Sequence, residues 1–219
     1  MQPVIDKREV LRYLAAKNQP DETYNRLVDA CIEEVLTLIR PRYLFKLLHV
    51  SDAAPLLSGR DITRHLAGST YVVLLAATLG AGVERSIRLY EQTDMARAVI
   101  MDAACTDAVE KVCDAACAEI AALPELDGLF LTDRFSPGYG DMPLSVQPEL
   151  LRILDTRRRI GLSCTDRYLL TPRKSVTALV GAGPLPPQQR THGCRFCPAR
   201  EHCIYRKEGR RCDAETTNS

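Results

Sequence analysis

Apolar residues recur three and four positions apart in two segments near the start of the chain, residues 7–14 and 22–39. This spacing places them on one face of an α-helix. Asp6 and Asp21 precede the two segments, and aspartate commonly caps a helix by accepting a backbone N–H group from the first turn. Pro41 disfavours helical backbone in the residue before it. The pattern therefore predicts two helices, of which the second ends before Pro41.

Two shorter apolar runs have the pattern of strands. Residues 43–50 partly alternate between apolar and polar, and residues 71–79 form a continuous apolar run, rich in β-branched side chains at its start, that Gly80 ends. A continuous apolar run of this length is typical of a strand that is buried on both faces. Helical spacing returns in residues 83–89, and the alanine-rich residues 95–123 predict the longest helix.

Turn-forming residues are more frequent in the second half of the chain. Residues 147–157 predict a helix, with Pro148 in its first turn, where no backbone N–H group is needed. Residues 169–170 and 175–180 predict strands on either side of a turn at Pro172. Helices and strands are therefore both expected, with the helices concentrated in the N-terminal half.

A stiff, proline-rich segment at residues 183–187 separates this part of the chain from a cysteine-rich C-terminus. We expect a first domain over residues 1–184 and a cysteine-rich extension over residues 185–213. The polar residues 214–219 are expected to form a disordered tail.

The composition argues against several classes of partner. The 29 basic and 28 acidic residues nearly balance, so no global charge favours nucleic acid or an anionic membrane. The longest apolar run is too short to span a bilayer, and the first residues lack the pattern of a secretion signal. We therefore expect a cytoplasmic protein with neither a nucleic-acid nor a membrane partner.

One turn concentrates groups that suit a small anionic ligand. Residues 134–140 read Arg-Phe-Ser-Pro-Gly-Tyr-Gly. The arginine presents a planar fork that matches a carboxylate, and Gly138 permits a positive φ beside Pro137. Tyr139 adds an aromatic face and a hydroxyl group. From composition alone, an ordinary Pro-Gly turn with a solvated arginine is the favoured interpretation.

The same turn resembles the signature of the activation domain of vitamin B12-dependent methionine synthase. Residues 134–139 and 141–143 match that signature, and the blocks at 160–166 and 171–176 resemble the next two segments of the domain in the same order. The resemblance covers about residues 4–184. It implies an α+β fold in which a helical N-terminal part packs on a twisted antiparallel sheet.

The resemblance also implies a function. In this family, cobalamin on a separate module is occasionally oxidised to inactive Co(II), and the activation domain supports its reductive methylation with S-adenosylmethionine as the methyl donor. The chain would then be an accessory component of a corrinoid-dependent methyltransferase, with methionine synthase as the leading partner. The partner protein would supply the cobalamin.

Residue roles carry over from the same resemblance. Arg134 would pair with the carboxylate of the ligand, Asp6 would take its ammonium group, and Glu110 would orient Arg134 or the ligand. Tyr139 would lie near the reacting methyl group as the catalytic residue. The adenosine would be approached by Ser136, Pro137 and Gly138. Asp6 is equally suited to act only as a helix cap, and Glu110 to be a solvated charge.

Two features depart from the family pattern. Gly128 stands six positions before Arg134, where the methionine synthase domain has an acidic residue. The end of that domain, which supplies a tyrosine towards the nucleoside, is replaced here by the proline-rich segment and the cysteines. The pocket would therefore be completed differently.

Four C-terminal cysteines have the spacing Cys-x2-Cys-x5-Cys-x8-Cys, which indicates a metal site. They are Cys194, Cys197, Cys203 and Cys212. The second half of the array lacks the Cys-x2-Cys knuckle of many zinc sites, so a [4Fe–4S] cluster is favoured and zinc is the alternative. An iron–sulfur cluster could donate the electron that reduces Co(II).

Two other functions fit the same residues. The chain could be a non-catalytic module that senses S-adenosylmethionine or chaperones a corrinoid. Alternatively, it could be a zinc-stabilised interaction protein whose Pro-Gly turn binds nothing.

Overall fold

The structure is a computed structural model that describes residues 2–14 and 21–186. The chain divides into two units after Leu185. The metal-site prediction lies outside the described residues, because it rests on Cys194, Cys197, Cys203 and Cys212. The predicted tail at 214–219 and all but the first two residues of the predicted extension also lie outside them.

The helices and strands follow the apolar pattern of the sequence closely. The helices are α1 (Lys7–Tyr13), α2 (Glu22–Leu38), α3 (Arg60–His65), α4 (Gly82–Thr93), α5 (Met95–Ala121), α6 (Gln147–Leu154) and α7 (Thr156–Ile160). The strands are β1 (Arg42–His49), β2 (Tyr71–Thr78), β3 (Phe130–Leu131), β4 (Ser163–Cys164), β5 (Leu170–Thr171) and β6 (Ser175–Gly183). Short 3-10 turns cover Val50–Leu56, Pro124–Leu126 and Leu144–Val146.

The predicted caps of the first two helices are confirmed. The Asp6 side chain accepts the backbone N–H of Arg8 at the start of α1, and the Asp21 side chain accepts that of Tyr24 at the start of α2. Each carboxylate satisfies a backbone donor that has no partner within its own helix.

An antiparallel sheet with the order β1-β2-β6-β3 forms the middle of the fold, and β4 pairs with β5 in a separate hairpin. Strand β2 is the second strand of the sheet, and its residues are fully buried except for the first. Val73 and Leu75 point into one apolar core, whereas Val72 and Leu74 point into a second core on the opposite face. Both faces of the sheet must therefore be covered.

Helices cover the two faces. On one side, α1, α2, α4 and α5 pack around the buried residues of the first core. On the other side, α3, α6 and α7 and the turn at Val50–Leu56 contribute to the second core. Full burial of one aliphatic side chain stabilises the folded state by about 1.5–3 kcal/mol, so both layers contribute substantially. The predicted α+β class is confirmed, and the helical cover extends to both faces.

The helix predicted over residues 147–157 is in fact two helices. Asp155 adopts a left-handed backbone with φ of 50°, so α6 ends there and α7 begins at the next residue. The hydroxyl of buried Thr156 donates to the carbonyl of Leu162 at 2.8 Å, which holds α7 against the chain that follows.

The strands predicted around Pro172 do not form a hairpin with each other. Strand β5 pairs with β4, while β6 pairs with β2 and β3. Strand β6 also continues to Gly183, which pairs with Phe130, so the residue expected to begin the linker belongs to the sheet. Helix α3 was not predicted, because its six residues are too few for a periodic pattern.

Within the described ranges, the structure contains no helix that is long and apolar enough to cross a membrane.

A buried polar pair joins the sheet to α6 and offers a test of the fold. The Thr177 hydroxyl donates to the side-chain oxygen of Gln147 at 2.6 Å, and both residues are buried. We expect Thr177→Val to lower the free energy of unfolding by about 1–3 kcal/mol, because it leaves the buried Gln147 oxygen without its donor. Urea denaturation measures the change.

The matched control is Thr23→Val at an exposed position of α2, which should change the stability by less than about 0.5 kcal/mol. The double variant Thr177→Val/Gln147→Leu should recover part of the loss. Equal effects of Thr177→Val and Thr23→Val would contradict the importance of the buried pair.

Candidate functional site

The segment that carries Arg134 continues from β3 along the side of β6 that faces away from β2. The backbone N–H of Thr132 donates to the carbonyl of Gly181 at 2.9 Å, and that of Phe135 donates to the carbonyl of Leu179 at 2.9 Å. Neighbouring side chains of an extended segment point to opposite faces. Arg134 accordingly reaches α5 on one face, whereas Phe135 packs into the second core on the other.

Arg134 is held by two carboxylates of α5. Its Nη2 lies 2.7 Å from a carboxylate oxygen of Glu110, and its Nη1 lies 2.8 Å from one of Asp114. The Cys117 sulfur is a weaker partner of Nη1 at 3.8 Å. Glu110 and Asp114 are four residues apart and therefore lie on the same face of the helix.

Burial by itself lowers the pKa of the Arg134 guanidinium, whereas the hydrogen bond to Asp114, the neighbouring Cys113 and Cys117, and the charge of Glu110 together raise it more. The net pKa lies above the ordinary arginine value, so the side chain is charged. The Arg134 side chain is 24% exposed, compared with 42% for Glu110 and 58% for Asp114. The ion pairs therefore lie at the solvent boundary, where a ligand can compete for them.

Asp6 approaches the same helix through its backbone. Its N–H group donates to a carboxylate oxygen of Asp107 at 2.8 Å, and Asp107 is only 3% exposed. The Asp6 carboxylate bonds to the backbone and side chain of Arg8, and the side-chain hydrogen bond is the main cause that lowers the pKa of Asp6. Burial raises the pKa of Asp107. Asp107 and Glu110 are three residues apart in α5, so the backbone of Asp6 is attached to α5 one turn away from Glu110.

The Pro-Gly turn has the geometry that its sequence predicts. The N–H of Tyr139 donates to the carbonyl of Ser136 at 3.0 Å, and Gly138 has φ of 93°, as the third position of a type II turn requires. Pro137 is buried beneath the turn, whereas Tyr139 is 58% exposed. The turn therefore presents the tyrosine and leaves the proline packed against the protein.

An aromatic series connects this turn to α3. The Tyr139 ring meets the Phe135 ring edge to face, with centroids 6.0 Å apart, and Phe135 meets the His65 ring at 5.1 Å.

The Asp141 carboxylate, just beyond the turn, accepts the backbone N–H groups of Arg60 and Asp61 at 2.8 and 3.0 Å. Asp141 therefore caps α3 from a distant part of the chain.

Of the residues that the sequence singled out, the structure brings Arg134 and Glu110 into direct contact and relates Asp6 and Tyr139 to them through intervening residues. Arg134 contacts Glu110 directly, Asp6 is connected through Asp107, and Tyr139 is connected through Phe135. The charged groups lie on the α5 side of the segment and the aromatic groups on the α3 side.

Three contributors were missed by the sequence reasoning. Asp114 carried a usable signal, because it lies four residues after Glu110 on the same helix face. Asp107 and His65 carried none, since their roles depend on burial and on contacts with distant residues.

The described part of the chain holds no group of three or more His, Cys, Asp or Glu side chains that could bind a metal ion. Cys105 and Cys113 of α5 are buried, and burial raises the pKa of each thiol to about 12. These thiols are therefore neutral at physiological pH and pack as small apolar groups.

The Asp141 cap predicts a pH dependence. The hydrogen bonds from the N–H groups of Asp61 and Arg60 hold the pKa of Asp141 below its ordinary value of 3.8. The stability that they contribute is therefore fully present above that value and is lost as the pH falls through the lower, folded-state pKa. We expect the Tm of the wild type to exceed that of Asp141→Asn at pH 7, and this difference to shrink below about pH 4. A Tm difference that does not change with pH would contradict the cap.

No protein-family model matches the chain, and no curated protein matches its sequence. Among solved structures, the chain is similar to the MetH reactivation domain bound to AdoHcy. The similarity covers 95% of this chain and 86% of that chain, with a TM-score of 0.59 and 13% sequence identity.

At this identity the comparison establishes the fold. It confirms the arrangement of helices on an antiparallel sheet that the resemblance of the turn implied. The chain has the α+β fold of the MetH reactivation domain.

Proposed function

We propose that this chain binds S-adenosylmethionine beside Arg134 and supports the reductive methylation of cob(II)alamin carried by a partner methyltransferase. One observation carries the proposal: a solved protein of the same fold holds AdoHcy, the demethylated form of this ligand. The turn that resembles the family signature supports it, because the segment before the turn lies along β6 and holds Arg134 against Glu110 and Asp114.

The charges around Arg134 suit a zwitterionic ligand. A guanidinium has five N–H groups, and the described contacts with Glu110, Asp114 and Cys117 engage three of them. The other two are available for the carboxylate of an amino-acid moiety. The surrounding carboxylates favour the ammonium and sulfonium cations of the same molecule.

Asp6 stays the proposed partner of the ammonium group, with Asp107 fixing its backbone. The Asp6 side chain is 31% exposed and already paired with Arg8, whose side chain is 72% exposed. An ion pair this exposed is worth little, so a ligand ammonium can replace Arg8 at small cost. Glu110 then holds Arg134 in position for the carboxylate.

The Pro-Gly turn supplies the wall for the adenosine and the reacting methyl group. Ser136 and Gly138 keep their proposed place beside the adenosine, and Gly138 lets the backbone approach closely. Pro137 is buried, so it supports the turn from beneath and does not line the pocket. The exposed Tyr139 is proposed to face the partner protein and orient the sulfonium methyl group.

The proposed transfer balances when a one-electron reductant is supplied. The reductant converts Co(II) to Co(I), and Co(I) then takes the methyl cation with its own electron pair as the carbon–sulfur bond breaks. AdoHcy leaves with both electrons of that bond. The role of the chain is to hold the donor in line, which makes the transfer effectively intramolecular.

Arg134 provides the first test of ligand binding. We expect Arg134→Ala to weaken the binding of AdoHcy by roughly 10- to 100-fold, because a charge-assisted hydrogen bond is worth about 1.5–3 kcal/mol. Titration calorimetry measures the Kd. Arg134→Lys should recover little, since a lysine cannot present a planar fork to the carboxylate while contacting both acids of α5.

Arg152→Ala is the matched control. Arg152 forms an ion pair with Glu149 on the exposed face of α6, so its loss removes the same kind of contact away from the site. AdoHcy should bind this variant as it binds the wild type. Equal affinities of the Arg134→Ala variant and the wild type would rule out the assigned site.

Reactivation is tested separately from binding. The chain is mixed with a cob(II)alamin-bearing methyltransferase, a one-electron reductant and S-adenosylmethionine, and the absorbance of methylcobalamin is followed. We expect methylcobalamin to form with S-adenosylmethionine but not with AdoHcy, which carries no methyl group to transfer. Binding without methylation would favour the role of a sensing or chaperone module.

The C-terminal cysteines extend the proposal beyond the described residues. We propose that Cys194, Cys197, Cys203 and Cys212 hold a [4Fe–4S] cluster, because their spacing and thiolate chemistry fit one. Anaerobically reconstituted protein should then be brown, and replacing all four by alanine should remove the colour. A colourless protein with stoichiometric zinc would instead identify a zinc site.

A further inference from the structure

Helix α3 contacts both ends of the segment that carries the Pro-Gly turn. At its N-terminus, the backbone N–H groups of Arg60 and Asp61 donate to Asp141, which follows the turn. At its C-terminus, Nε2 of His65 lies 2.8 Å from the carbonyl oxygen of Asp133, which precedes the turn. One short helix therefore holds both ends of residues 133–141.

This double contact fixes the span of the segment. A helix of six residues, such as α3, is about 9 Å long at 1.5 Å per residue. Residues 133–141 could extend to about 30 Å if they were free, at 3.3–3.6 Å per residue. The helix thus sets how tightly the turn must fold back, independently of the hydrogen bonds inside the turn.

Helix α3 is itself anchored in the second core, and its close neighbours leave it little room to shift. Ile62 is fully buried and Leu66, the residue that follows α3, is 4% exposed in the second core. A Cβ atom on Gly181 would lie 2.9 Å from the Leu66 side chain, and one on Gly140 would collide with the Asp61 carboxylate. The absence of side chains at these two glycines allows α3 to approach both the sheet and the turn.

We propose that Asp141 and His65 are positioning residues that set the geometry of the ligand-binding turn through α3. The inference rests on the proposed function, because it takes the turn to be a wall of the ligand site. Asp141 acts through the start of α3. His65 acts through the carbonyl of Asp133 and through Phe135, whose ring contacts Tyr139.

The test combines a readout of the turn with a readout of the ligand. The amides of Gly138 and Met142 donate within the turn, to the carbonyls of Met142 and Tyr139, so their hydrogen exchange reports its order. We expect Asp141→Ala and His65→Ala to speed exchange at both amides and to weaken AdoHcy binding about 5- to 10-fold.

Conservative variants and a matched cap provide the controls. Asp141→Asn keeps one of the two acceptor oxygens that bind α3, and His65→Gln keeps an N–H donor at a similar reach. Both variants should therefore lie between the alanine variants and the wild type. Asp21→Ala removes the cap of α2, where Asp21 accepts the N–H of Tyr24 at 2.7 Å. It should lower stability without changing either readout.

The proposal is overturned if the turn amides exchange at wild-type rates and the affinity is unchanged in both Asp141→Ala and His65→Ala. The wild-type protein could fail to bind AdoHcy while its turn amides still respond to these changes. That result would contradict the proposed function and leave α3 as the element that orders the turn.

Discussion

The two-sided burial of the central strands governs the rest of this fold. Strand β2 and most of β6 are apolar on both faces, so neither face of the sheet can be left to solvent. The long helix α5 covers one face with small side chains, while α3 and α6 cover the other. With both faces occupied, the sheet edge formed by β3 and the segment after it offers a place where polar and exposed groups can collect without interrupting a core.

The candidate site uses that edge through the alternation of an extended chain. Arg134 and Phe135 are neighbours in sequence, yet their side chains serve opposite layers. The arginine meets the carboxylates of α5, and the phenylalanine meets the aromatic groups around α3. One short segment therefore connects the charged part of the candidate site, which suits an amino-acid moiety, with the aromatic part, which shapes the turn.

Much of the fold could be predicted because its signals are local. The caps at Asp6 and Asp21, the buried strand at 71–79 and the left-handed Gly138 each follow from a few adjacent residues. The features of the fold that could not be predicted also have physical causes. Aspartate tolerates a left-handed backbone, but Asp155 alone does not mark the break between α6 and α7, and the partners of β6 depend on strands far away in sequence.

For the site, the sequence by itself determined which chemical groups are present and how the turn folds. Those properties depend on side-chain type and on the backbone freedom of neighbouring residues. Only the tertiary structure decided that Arg134 pairs with Glu110 and Asp114, and that Asp141 caps a helix about eighty residues earlier in the chain. The reason is that packing α5 and α3 on opposite faces of one sheet sets these distances, and no short stretch of sequence encodes them.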